Sequence, residues 1–212
     1  MDLRVFEKSS VLLFDFGGVV QELLDICIAH SMADCLNISR DEFLPWFDYY
    51  IPKVQLGALT EDEFFRTLHE TTGSKIPMNA SRLFLLPFTT SSRLYPAITD
   101  LLDELVAKKI QIAVTSNTIP SHAQMNRERG NYKWFDTNVF LSCDIRLLKP
   151  DAAFFDYVAA RLRRPLNQLL LIDDSDENIS GARALGITAV KHDSKTMPVS
   201  GLRKQLATMG FL

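Results

Sequence analysis

The chain has 212 residues, 47% of them hydrophobic, and a net charge of -3 built from 23 basic and 26 acidic side chains scattered along its length. That length suits one core with a modest insert, and that apolar share can bury a core without disulfides or a structural metal. A basic face for nucleic acid and a bilayer-length apolar run are both lacking, so the expected partner is a small diffusible molecule, with no nucleic acid and no membrane.

In chain order, Met1 to Ser10 carries charges and has no long apolar stretch, which argues against secretion. Val11-Leu12-Leu13-Phe14 is a continuous apolar run that ends in Asp15 and Gly17-Gly18, the pattern of a strand buried on both faces and stopped by a tight turn. From about Gln21 to Leu86 the period is helical. Within it Thr60 and Glu63 form a capping box that predicts a helix over Glu61 to Thr71. Phe43, Trp46, Phe47, Tyr49 and Tyr50, at near-helical spacing, are expected to form the core of this block. Cys27, Cys35 and Cys143 have no metal-type spacing. They are expected to be free thiols filling apolar space in a reducing, cytoplasmic setting.

From about Pro96 helices and strands alternate, with buried strands expected at Ile110 to Thr115, Val139 to Ser142, Leu169 to Ile172 and Thr188 to Val190. The expected fold is therefore α/β, a Rossmann-like parallel sheet with an inserted all-helical cap. The core takes residues 1–20 and 92–212, and the cap residues 21–91.

Open α/β sheets form their crevice at the carboxyl ends of the strands. Four segments are placed there: Asp15, Ser116-Asn117, Lys149-Pro150 and Asp173-Asp174. They supply a nucleophile, hydroxyl and amide donors, one cation and an acid pair able to bind a metal. Attack by a carboxylate on a phosphate dianion needs that positive charge and those donors. His122 reads as a surface or packing residue.

The same four segments, in this order and around a helical insert, resemble motifs one to four of the haloacid dehalogenase superfamily, subfamily IA. Phe14-Asp15-Phe16-Gly17-Gly18-Val19, Ser116-Asn117-Thr118, Lys149-Pro150 and Asp173-Asp174-Ser175-Asp176-Glu177-Asn178 are similar to bacterial α-D-glucose-1-phosphate phosphatases and their relatives. The resemblance implies a Mg²⁺-dependent phosphatase, monomeric or a weak homodimer, that hydrolyses a small phosphorylated metabolite through an aspartyl-phosphate. It makes Asp15 nucleophile and metal ligand, Ser116 and Asn117 phosphate binders, and Lys149 the catalytic cation that also binds phosphate. Gly17, through its carbonyl, and Asp174 become direct Mg²⁺ ligands, and Asp173 acts through a metal-bound water.

One departure matters. Most phosphatases of this superfamily carry a second Asp two residues after the nucleophile, and this chain has Gly17 there. The missing carboxylate would protonate the leaving oxygen, an assistance worth about 10²–10⁴-fold. A sugar phosphate such as glucose 1-phosphate, whose anomeric oxygen leaves without protonation, is the ester this implies. Two other readings follow: a catalytically degraded relative that binds a phosphorylated ligand without turnover, and a 2-haloacid dehalogenase. The dehalogenase reading lacks the aromatic and Thr that Gly17 and Val19 replace.

Overall fold

The computed structural model describes residues 10–22, 27–77, 79–85 and 92–212. Five strands, β1 (Val11–Asp15), β2 (Gln111–Ser116), β3 (Val139–Leu141), β4 (Leu169–Asp173) and β5 (Thr188–Lys191), form one parallel sheet in the order β3-β2-β1-β4-β5. All five expected strands are present. The third is one residue shorter than the sequence implies, because Ser142 leaves the sheet to open a short helix, Ser142–Ile145.

Strands β1 and β4 are buried along their whole length, which is why their sequences run apolar without alternation. The period of two survives in three dimensions. Leu12, Phe14, Ile112, Val114, Leu170 and Ile172 point to one face. That face is covered by helices α4 (Pro96–Ala107) and α9 (Val199–Thr208), which supply Leu101, Leu105, Leu202 and Leu206. Val11, Leu13, Ala113, Leu169, Leu171 and Ala189 point to the other face, under α7 (Ala152–Leu162) and α8 (Asp176–Ala184).

A third apolar cluster gathers Met32 of α1 (Cys27–Leu36), Phe43 and Val54 of α2 (Arg40–Gln55), Phe64 and Leu68 of α3 (Glu61–Thr72), and Phe84. Thr60 and Glu63 cap α3 reciprocally: the Glu63 N–H donates to the Thr60 hydroxyl at 3.1 Å and the Thr60 N–H donates to the Glu63 carboxylate at 2.8 Å. The two ends of this helical block run side by side at its base. Gln21 bridges Leu94 in antiparallel fashion, the Glu22 N–H donates to the Arg93 carbonyl, and the Tyr95 N–H donates to the Val20 carbonyl.

Two expectations need correction. Tyr49 is 64% exposed and lies outside the aromatic core, because six residues along α2 carry it about a third of a turn away from Phe43, and it stacks edge-on against Tyr50. Cys35 is exposed and fills no apolar space, while Cys143 is half-buried with its thiol pushed up to about 11 by burial and by Asp144. The Cys27 side chain, residues 1–9 and the expected block end at residues 86–91 lie outside the described residues. Among the described residues no helix is long and apolar enough to cross a membrane.

Candidate active site

The topology decides where the functional groups meet. Chain order runs outward from β1 to β2 and β3, then returns to β4 on the other side of β1, so the switch in direction falls beside β1. Asp15 is the last residue of β1, paired with Thr115 of β2, and Asp173 is the last residue of β4. A cavity of about 330 Å³ opens over these strand ends, lined by Asp15, Gly17, Ser116, Asn117, Lys149 and Asp174 on the sheet side.

Lys149 ties the strands together. Its ammonium donates to Asp173 Oδ2 at 2.6 Å and to the Thr115 carbonyl at 3.1 Å, and lies 2.9 Å from Asp15 Oδ1. Burial pushes this lysine down, but Asp15 and Asp173 more than offset it and leave it above its usual value. The site stays cationic at that atom. Asp15 Oδ1 also accepts the Phe16 N–H at 2.7 Å, so Oδ2 is committed to neither donor. Burial raises Asp15 well above the usual carboxylate range, Lys149 pulls it back, and Asp173 and Asp174 push it up again. Asp174 is raised too, by burial and by Asp173.

Asp173 is fully buried and spent on the protein. Besides Lys149, it accepts the Ser175 N–H at 2.9 Å and the Asn178 amide at 3.0 Å and 3.2 Å. It holds Lys149 in place, and any further ligand would share its oxygens with those bonds. The Asn117 side chain is similarly engaged: its amide donates to the Lys149 carbonyl at 2.8 Å and its oxygen accepts the Lys149 N–H at 2.9 Å. It clamps the Lys149-Pro150 loop to the end of β2. Ser116 lies at the cavity floor, nearly buried.

Several contributors escape a reading of the sequence. Asn178, on the first turn of α8, orients Asp173. Ser142 clips the segment after β2, accepting the Thr118 N–H at 2.9 Å and donating to the Thr118 carbonyl at 3.1 Å. Gly18, with φ 75°, approaches Asp174 so closely that a Cβ would fall 2.2 Å from its Oδ2. Gly17 does not have a positive φ, so backbone conformation does not dictate glycine there.

His122, on α5 (Pro120–Glu128), is a wall residue, not a surface one. It is buried against the cavity, donates from Nε2 to the Phe84 carbonyl at 2.8 Å, and is pushed down to about 4 by burial, the Phe84 bond opposing this. It is neutral near pH 7.

The donor set suits a hard divalent cation. Asp15, Asp173 and Asp174 each offer a carboxylate oxygen, all within 4.8 Å of one another, and Lys149 is the one lysine or arginine lining the cavity among the described residues. Three carboxylates against one ammonium crowd negative charge together, which an oxygen-preferring divalent cation would relieve.

A family model described as haloacid dehalogenase-like hydrolase matches residues 11–186. Among curated relatives, mouse acyl-CoA dehydrogenase family member 10 is 26% identical over 167 residues, covering 79% of this chain. The chain spans only 15% of that protein's length. A sesquiterpene phosphatase of Aspergillus oryzae is 25% identical over 185 residues, covering 84% of this chain and 87% of that one. Among solved structures, a Bacteroides thetaiotaomicron enzyme crystallised with magnesium and inorganic phosphate has a TM-score of 0.74 at 20% identity, covering 91% of this chain and 98% of that one. That likeness establishes the fold.

Proposed function

Since the chain belongs to the haloacid dehalogenase-like hydrolase family, we propose that it is a Mg²⁺-dependent phosphomonoesterase that works through an aspartyl-phosphate on Asp15. One observation carries this reading: Asp15 ends the central strand with one carboxylate oxygen anchored by Lys149 and the Phe16 N–H and the other uncommitted to them, at the floor of a cavity. The names of two similar proteins lend support, one a phosphatase and the other crystallised with magnesium and phosphate.

In this reading Asp15 attacks phosphorus, an Asp15 oxygen–phosphorus bond forms, and the ester oxygen–phosphorus bond breaks with its electron pair leaving on the alcohol oxygen. Ser116 receives a phosphoryl oxygen. Lys149 holds the nucleophile and counters charge on the phosphoryl group. Asn117 acts at one remove, by fixing the Lys149 loop, and Asp173 and Asn178 fix its ammonium. Water then cleaves the aspartyl-phosphate and restores Asp15. Asp15, Asp174 and the Gly17 carbonyl would hold Mg²⁺, which when bound supplies positive charge against the repulsion between carboxylate and phosphate. We assign residues 21–91 as a cap over a core of 1–20 and 92–212, because the helical block has its own apolar cluster and its two ends pair at the base.

The test is phosphate release from a panel of esters with and without Mg²⁺. Mg²⁺-dependent release is expected. Stoichiometric binding without release would instead favour the degraded, binding-only reading, which Gly17 keeps open. An Asp174→Ala variant should raise the Mg²⁺ concentration needed for half-maximal activity at least about 10–100-fold, the cost typical of losing even an outer metal partner. An unchanged Mg²⁺ titration would remove Asp174 from the metal site.

Gly17 sets the leaving-group dependence. With no carboxylate there, alkyl esters should turn over far more slowly than aryl or anomeric ones. Gly17→Asp should raise alkyl phosphate turnover most, by up to about 10²-fold. Equal loss on all substrates with a lower melting temperature would mean that the position needs glycine for packing.

A further inference from the structure

Among the described residues, the wall of the cavity away from Asp15 is mainly apolar and carries no charged side chain. Ile28 of α1, Phe47 and Ile51 of α2, Phe84 and Ile119 line it, and every charged side chain among the described lining residues (Asp15, Lys149, Asp174) belongs to the phosphate end. His122 adds no charge, being held down to about 4 by burial.

The polar groups on the wall are largely engaged with one another. The Gln21 amide donates to Asn126 Oδ1 at 2.9 Å, the Asn126 amide donates back to Gln21 Oε1 at 3.2 Å, and Asn131 adds a third bond to Asn126 at 2.8 Å. Gln21 and Asn126 are both buried, and this pair spends one N–H of each amide and both amide oxygens on one another. The His122 Nε2 proton is committed to the Phe84 carbonyl. On α2, Gln55 is the remaining amide at the wall, and its side chain has no partner among the described residues.

From this geometry we infer that, on the phosphomonoesterase reading, the substrate is the monophosphate of an uncharged, mainly hydrophobic alcohol, not a polyol phosphate, a bisphosphate or a nucleotide. A sugar would bury several hydroxyls, each of which loses water and needs a partner, and among the described residues the wall is mostly Ile28, Phe47, Ile51, Phe84 and Ile119. A second anionic group would be buried there with no cation among the described wall residues to meet it. A hydrocarbon or aromatic body loses nothing by leaving water and gains contact with Phe47, Ile51 and Phe84. This inference departs from the sugar-phosphate expectation drawn from the missing acid alone, and the two are separated by experiment.

The test uses pairs of esters matched in leaving-group type, so that the chemistry of position 17 cancels. Hexyl phosphate is compared with glucose 6-phosphate, both primary alkyl esters, and phenyl phosphate with 4-carboxyphenyl phosphate, both aryl esters. The expected kcat/KM ratio favours the apolar member of each pair by about tenfold or more, a size ordinary for differences of pocket contact. An Ile51→Lys variant, which places a cation on the wall, should shift the second ratio toward 4-carboxyphenyl phosphate. Ratios near unity, or a preference for glucose 6-phosphate, would overturn the inference while leaving the phosphatase reading intact. If no ester releases phosphate, that reading fails, and the wall is still tested by calorimetric binding of phenylphosphonate against 4-carboxyphenylphosphonate. Tighter binding of phenylphosphonate, which lacks the carboxylate, is then the expected result, and equal or weaker binding overturns the inference.

Discussion

Replacing Asp15 by Asn reduces phosphate release from every ester on the order of 10⁴–10⁶-fold, the scale of removing a covalent nucleophile, while the fold persists. The amide keeps the shape and can still meet the Phe16 N–H, but it is neither nucleophilic nor anionic. Stability should rise, not fall. Burial, Asp173 and Asp174 raise Asp15 despite Lys149, so its ionised form costs the folded state more than the unfolded one. The native state then binds more protons than the unfolded state between the ordinary carboxylate pKa of about 3.9 and the raised value, and stability falls as pH rises through that window. Metal-free Asp15→Asn protein should lack that decline and melt higher than wild type near pH 7. A lower melting temperature across the whole pH range would show that Asp15 is a net structural support.

Lys149→Met is expected to be as damaging to turnover and, unlike Asp15→Asn, damaging to the fold. Lys149 and Asp173 are both buried and 2.6 Å apart, and removal of the ammonium leaves the Asp173 carboxylate with only the Ser175 N–H and the Asn178 amide. Breaking a buried pair from one side typically costs about 3–5 kcal/mol. Denaturant melts of metal-free protein measure it. Adding Asp173→Asn to Lys149→Met removes the stranded charge and should recover part of that stability without recovering activity. If the double variant is less stable than Lys149→Met alone, Asp173 is held by the Ser175 and Asn178 bonds and not by its charge partner.

Much of this frame was legible in the sequence because it rests on local, repeated signals. A strand buried on both faces must be apolar throughout, so Val11 to Phe14 and Leu169 to Ile172 identify themselves, and the residues that follow them must lie at the crevice. Thr60 and Glu63 form their reciprocal cap within four residues. The directions in which side chains point were not legible. Asn117 is spaced correctly for the cavity, yet its amide is used on the backbone of Lys149, 32 residues away, a pairing set by how β2 and the Lys149 loop pack. Asn178 reads as an ordinary first-turn residue until Asp173 is seen beneath it. His122 lies in a nine-residue helix with few apolar positions, too few to fix which face is buried. The character of the wall was hidden for the same reason, since Ile28, Phe47, Phe84 and Ile119 come from four separated segments.

The covalent step itself can be observed. Wild-type protein turning over phenyl phosphate with Mg²⁺ is quenched in acid, digested, and analysed by mass spectrometry for a phosphoryl group on the peptide that contains Asp15, with Asp15→Asn treated in parallel. One phosphoryl group is expected on Asp15 in the wild type, lost on treatment with hydroxylamine, and none in the variant. Steady phosphate release with an unmodified Asp15 peptide, or equal labelling of another residue in both proteins, would contradict it.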